Sequence, residues 1–206
     1  MEKIDFKKTL KHLYRPSGKD FSIVEVPEMQ FLMVDGRGDP NTATEYQQAV
    51  EALYGTAYKL KFASKKQMER DYVVPPLEGL WWAEDMETFI TREKDQWSWR
   101  MMIMTPDWIG EEMFRQVVET IASGKEPPAA LEKVRLERYH EGLSAQIMHI
   151  GSYDDEGPTL ARLHQTWLPE NSYTENGLHH EIDLSDPRRV APEKLKTVLR
   201  QPVKAV

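Results

Sequence analysis

The sequence predicts an α+β protein, and three observations carry that prediction. Stretches of period-two alternation are interspersed with stretches of helical spacing. Their order reads strand, long helix, two strands, then connecting helices, then strand, helix, strand. The composition, 206 residues that are 40% hydrophobic and 30% charged, is that of an ordinary soluble globular chain. Two similar halves about a central linker point to a duplicated module.

Each element has a local reason. Residues 1–20 read as an amphipathic lead-in ending in Pro16-Ser17-Gly18, with Lys3, Lys7, Lys8 and Lys11 solvated. Phe21–Val26 and Met29–Asp35 give a strand pair or one bulged strand, with Pro27 breaking or edging the ladder. Gly36-Arg37-Gly38-Asp39-Pro40 is a turn cluster; its GxG completes neither GxGxxG nor a GKS/T phosphate loop. Asn41 or Thr42 caps a helix to about Phe62, on which Tyr46, Val50, Leu53, Tyr54, Ala57 and Leu60 keep helical spacing. Leu77–Ala83 and Gln96–Met104 are strand-like, the second closed by Thr105-Pro106.

A second helix starts at a Thr105 or Asp107 cap, buries Ile109, Met113, Phe114, Val117, Val118 and Ile121, and stops at Ser123-Gly124-Lys125. Pro127-Pro128 opens a short helix over 129–140, which Gly142 breaks. Leu143–Ile150 is a strand. A helix then runs from Ser152 to about Leu168, with acidic residues in its first turn as the helix dipole prefers. Leu178–Leu184 is the last strand, and Pro192 opens a C-terminal helix over 192–200. The expected organisation is a lead-in (1–20), modules at about 21–104 and 143–184, a helical linker (107–140) and that C-terminal helix.

Composition narrows the function classes. Lys and Arg number 27 against 34 Asp and Glu, a net charge of −7. Without a concentrated basic stripe, nucleic acid is a poor partner. There is no apolar run near the roughly 20 residues a membrane span needs, and the N-terminus lacks a signal-peptide apolar segment. Zero cysteines exclude disulfides, thiolate metal sites and cysteine nucleophiles, and fit a reducing cytoplasm. Six Trp, eight Tyr, six Phe and ten Met supply many large, soft side chains, which suit either a core or an adaptable pocket for a hydrophobic aromatic small molecule. Whether the chain is a monomer or a homodimer stays open.

The residues able to do chemistry are few. On Leu178–Leu184 the even positions are mostly apolar and suit a packed face, so His179, Glu181 and Asp183 share the other. In an apolar groove a carboxylate is suited to general-base work near neutrality and seeks a cationic partner; on a solvated edge strand it does neither. Tyr153, in a Gly-Ser-Tyr turn, either donates to a carbonyl or water, or caps with its ring on the core. Trp81 with Trp82, and Trp97 with Trp99, form aromatic doublets on neighbouring strands, with Met101 in the parity of the second pair. Adjacent residues alternate faces, so the two members of a doublet cannot line one groove. They are core packing or, in part, walls for a flat ligand. His149 is a core or rim residue and a wall candidate.

His179 and His180 point to opposite faces and cannot chelate one ion without a bulge, and no HExxH occurs, so no metal is expected. No GxSxG elbow supports a serine hydrolase. No cofactor is called for.

Four stretches in this order resemble the GyrI-like small-molecule-binding domain family: Phe31–Pro40, Glu78-Gly79-Leu80-Trp81-Trp82, His149–Glu156 and His179–Arg189. The resemblance implies two tandem strand-helix-strand-strand modules related by pseudo-twofold symmetry. It also implies a ligand groove between them, lined by aromatics and by an acidic residue of the last strand, here Glu181. The family's Glu-Ile-Tyr-Leu pattern departs at Asp183, where a Tyr is usual, so that side chain's role is missing or supplied by Tyr153 or Tyr173. The stand-alone subgroup with Leu-Trp-Trp and His-His-Glu-Ile includes members that hydrolyse the strained cyclopropane of DNA-alkylating natural products. By resemblance that activity is expected here, with Glu181 positioning or deprotonating the water and Tyr153, singled out by its turn, as the expected proton donor.

Overall fold

A computed structural model of the chain describes residues 2–85, 88 and 91–206. The expected first module runs across Met86, Glu87, Phe89 and Ile90, which lie outside the described residues. In chain order the elements are β1 (Lys3–Ile4), α1 (Phe6–Thr9), α2 (Lys11–Tyr14), β2 (Ser22–Arg37), α3 (Thr44–Met68), β3 (Asp71–Tyr72), β4 (Leu77–Trp82), β5 (Ser98–Thr105) and α4 (Glu111–Ala122). There follow β6 (Arg135–Ile150), α5 (Gly157–Arg162), α6 (Leu168–Glu170), β7 (Tyr173–Glu175), β8 (His179–Asp183) and β9 (Lys196–Ala205). Helices and antiparallel strands are mixed, so the class is α+β. The chain divides into two compact units, Met1–Thr9 with Met29–Tyr139, and Leu10–Glu28 with His140–Val206.

In the first unit β5 pairs antiparallel with the second half of β2 on one side and with β4 on the other. Cross-strand rows follow from the register: Leu32, Ile103 and Leu77; Val34, Met101 and Gly79; Gly36, Trp99 and Trp81. Because strand side chains alternate, these rows share one face. That face packs into a core with Ala49, Ala52, Leu53, Ala57 and Leu60 of α3. The buried alanines bring helix and sheet close and leave room for the indoles.

Gly36 is required by one of those rings, since a Cβ there would overlap the Trp99 indole. The expected result for Gly36→Ala is a loss of about 1–3 kcal/mol, the usual cost of overpacking, read as a lowered midpoint in thermal denaturation.

In the second unit β9 pairs antiparallel with β6 over Ser144–Ile150, with β8, and with β7. Its core holds Phe21, Ala145, Ile147, Leu163, Leu168, Leu199 and Val203, with Trp167 and Tyr173 packed against it. Trp167 stacks on Tyr173 with ring centroids 6.2 Å apart.

Several expected elements differ, each for a physical reason. Residues 22–37 form one continuous strand. The first long helix starts after Ala43 rather than at an Asn41 or Thr42 cap, because Asp39 accepts from the Asn41 backbone and side chain and holds those residues in a turn. The second starts at Glu111, because Pro106 and Ile109 carbonyls are tied by the buried Gln30 amide at 3.2 and 2.9 Å, keeping 106–110 as a loop.

The helix expected over 129–140 is a single 3₁₀ turn at Leu131–Lys133 followed by the start of β6. Its charged residues favour a helix in isolation, and strand pairing overrides that preference. The C-terminal helix over 192–200 is likewise a 3₁₀ turn at Pro192–Lys194 and then β9. Thr197 and Val198 are β-branched and Pro202 cannot sit inside a helix. Within the lead-in, Leu13 and Tyr14 of α2 are fully buried in the second unit.

Candidate functional site

The residues able to do chemistry in the second unit gather on β8. Its alternation is strict: His180 and Ile182 are buried, while His179, Glu181 and Asp183 are partly exposed. His179 and Glu181, two residues apart on the same face, are joined by a 3.2 Å contact in which imidazole Nε2 donates to the carboxylate. Both side chains keep limited access to solvent, 13% and 20%.

Tyr153 opens a 3₁₀ turn, Tyr153–Asp155, and its phenol donates to Asp183. Tyr153 keeps 37% of its surface exposed, so partial burial of the ring, then the charges of Asp183, Glu156 and Glu181, push the phenol's pKa up. It therefore stays protonated at every physiological pH and acts as a hydrogen-bond donor. Three carboxylates act on one phenol, so the group is acidic as well as donor-bearing.

His149 is buried, and its Nε2 contacts the Ser152 carbonyl at 3.0 Å. A carbonyl only accepts, so that nitrogen carries the proton and the ring pins the turn that presents Tyr153. Ser152 Oγ donates to Asp155 at 2.6 Å and closes the same turn.

The aromatic residues lie in the first unit. Trp99 and Met101 are sealed from solvent, because the odd positions of β5 face α3. They pack the core, and no surface of theirs lines an opening. Trp99 Nε1 donates to the Gly38 carbonyl at 3.2 Å. Trp81 is nearly buried, stacked on Tyr46 at 6.3 Å and edge-on to Trp97 at 6.1 Å. Its edge lies over Gly79, where a Cβ would stand 2.8 Å from Nε1. Trp82, of opposite parity, and Trp97 are partly exposed, as is Tyr46. Around β4 and β5, accessible aromatic surface thus comes from Tyr46, Trp82 and Trp97 rather than from Trp99 or Met101, while Tyr58 and Phe62 are exposed on α3.

Two groups escaped sequence reading. Glu156 is buried beside Tyr153, although its place in a first helical turn marked it only as a dipole-favoured acid. A buried polar network joins Glu141, His180, Arg200 and Gln146 behind β8. Its only sequence signal was a His at an otherwise apolar parity. Among the described residues no group of three or more His, Cys, Asp or Glu is arranged to hold a metal ion. No described helix is long and apolar enough to cross a membrane.

An α+β chain with a carboxylate–phenol–imidazole group and an aromatic cluster has the make-up of a small-molecule-binding domain. Residues 19–204 match the GyrI-like small molecule binding domain, and the chain belongs to that family. An uncharacterized conserved protein from Listeria innocua is 42% identical, with a TM-score of 0.89 over 98% of this chain and 100% of that one. A hydrolase from Listeria innocua is 41% identical, with a TM-score of 0.85 and coverage of 98% and 100%. A further hydrolase structure from that organism is 41% identical at a TM-score of 0.87, with the same coverage. No curated protein matches the chain significantly.

Proposed function

We propose that this protein binds hydrophobic, flat aromatic small molecules in the cytoplasm and hydrolyses the activated cyclopropane of cyclopropylindole-type alkylating toxins. The observation that carries the reading is the presentation of Glu181 on the accessible face of β8, bonded to His179 and beside a protonated Tyr153. The likeness to two Listeria hydrolases supports a hydrolytic role.

In the reaction, Glu181 accepts a proton from water as the water oxygen bonds to the unsubstituted cyclopropane carbon. The strained C–C bond breaks, and its electron pair passes through the conjugated ring to the carbonyl oxygen. That oxygen gains a proton and becomes a phenol, so the net change is addition of H and OH. Tyr153 donates a hydrogen bond to the carbonyl oxygen as charge builds there, in place of its bond to Asp183. In the first unit, Trp82 and Trp97 keep accessible aromatic surface suited to flat rings, while Trp81, Trp99 and Met101 pack the core. His149 keeps the Tyr153 turn in place.

Incubating the protein with a cyclopropylindole and separating the mixture by chromatography tests this. Enzyme-dependent ring-opened product supports hydrolysis. Saturable binding with no product supports the second reading, a drug-sequestering or effector-sensing module, which the acidic Glu181–Asp183–Tyr153 group favours for cationic aromatic ligands.

A further inference from the structure

Three members of the network behind β8 lie on one cross-strand line. Gln146 of β6 stands opposite Arg200 of β9, and Arg200 stands opposite His180 of β8. Arg200 donates from Nε to Gln146 at 3.1 Å, from Nη1 to Glu141 at 3.1 Å and from Nη2 to the Leu13 carbonyl at 2.6 Å. His180 Nδ1 donates to both Glu141 oxygens, at 2.9 and 3.0 Å. Gln146 donates in turn to the His12 carbonyl at 2.6 Å. Glu141, His180 and Arg200 keep at most 3% of their side chains exposed.

A row of this kind is costly to build and directional. An apolar row would fill the same space as well or better, since replacing buried ion pairs by packed hydrophobes is often neutral or stabilising. Its distinguishing property is register. A one-residue slip of a strand turns every side chain to the opposite face. In β8 such a slip would bury Glu181 among apolar residues and expose His180.

We infer that Glu141, His180, Arg200 and Gln146 form a register lock, and that they are positioning residues for the face bearing His179 and Glu181. Residues 12 and 13, which precede the family match, complete the lock through their carbonyls. The assignment of that face as a reaction site rests on the proposed function; the lock itself does not.

Amide hydrogen exchange on Glu141→Gln tests it. The variant keeps the side chain's size and removes its charge. The expected result is at least a tenfold loss of protection at the amides of His179–Asp183, while Ala145 and Ile147 of β6 keep theirs. Parallel loss in β6 and β8 marks a merely structural network and overturns the inference, as does unchanged protection. If Glu141→Gln does not accumulate folded, Glu141→Leu/His180→Leu/Arg200→Met takes its place, leaving no charge unpaired, with the same expected contrast. Turnover of the cyclopropylindole, measured alongside, separates the two ideas. A lost β8 register should lower kcat more than it raises KM, whereas absence of turnover in the unsubstituted protein counts against the proposed reaction and leaves the exchange result standing.

Discussion

Glu181→Gln is expected to lower turnover of a cyclopropylindole by roughly 10²–10⁴-fold, the usual contribution of a positioned general base. The amide keeps the shape of the carboxylate and still accepts from His179, so β8 should keep its alternation and the protein its thermal midpoint. What it loses is the ability to take a proton from water. In the proposed reaction the effect falls on kcat, because there binding draws on aromatic contacts rather than on this carboxylate. Tyr153→Phe should act differently. Its raised pKa keeps the phenol protonated, so in the proposed reaction it contributes a hydrogen bond to the carbonyl rather than a titrating group. The variant should therefore be slower by a smaller factor, and the pH–rate profile of the unsubstituted protein should show no limb from this phenol below about pH 10. Steady-state kinetics on the three proteins distinguish these roles.

Glu141→Ala is the substitution expected to cost the most stability. It leaves Arg200 and His180 buried without their shared anion, a loss of about 3–5 kcal/mol for breaking a buried pair from one side. The same carboxylate makes stability depend on pH. Burial alone would raise its pKa, but the neighbouring His180 and Arg200 outweigh burial and hold it at about 2, against 4.5 unperturbed. A carboxylate with a lowered folded pKa contributes stability that is complete above its unfolded value. That contribution, roughly 3 kcal/mol by proton linkage, is lost as pH falls from about 4.5 toward about 2. Denaturant titrations of the unsubstituted protein at stepped pH should show the loss in that window, and Glu141→Gln should flatten it.

Much of the fold was legible in the sequence where one period dominated. The long helix carrying Tyr46, Leu53 and Leu60, the strands holding Trp81 and Trp99, and the alternation on β8 all follow from local pattern. The two misread helices share a cause: residues 135–140 and 196–200 carry charged or mixed side chains whose strand state is fixed by partners distant in sequence. For 196–200 that partner is β6, with Gln146 opposite Arg200 and Ile147 opposite Leu199. No local signal encodes that pairing.

The candidate site was partly readable. Alternation placed Glu181 and Asp183 on one face and His180 on the other, and the Gly-Ser-Tyr turn singled out Tyr153. The depth at which each Trp sits was not readable, because strand parity gives two faces without saying which one is covered by a helix. Trp99 and Met101 face α3, so their excess aromatic and sulfur surface serves packing. Glu141 was invisible for a further reason. An acid beside a glycine at a presumed helix end looks solvated, and only the fold brings Arg200 and His180 to it.

The most direct measurement is mass spectrometry of the product formed in ¹⁸O-labelled water. Hydrolysis assisted by Glu181 predicts a protein-dependent, ring-opened product carrying one solvent oxygen, formed roughly 10²–10⁴-fold more slowly with Glu181→Gln. A bound compound that is recovered intact, or a ring-opened product without label, would contradict it.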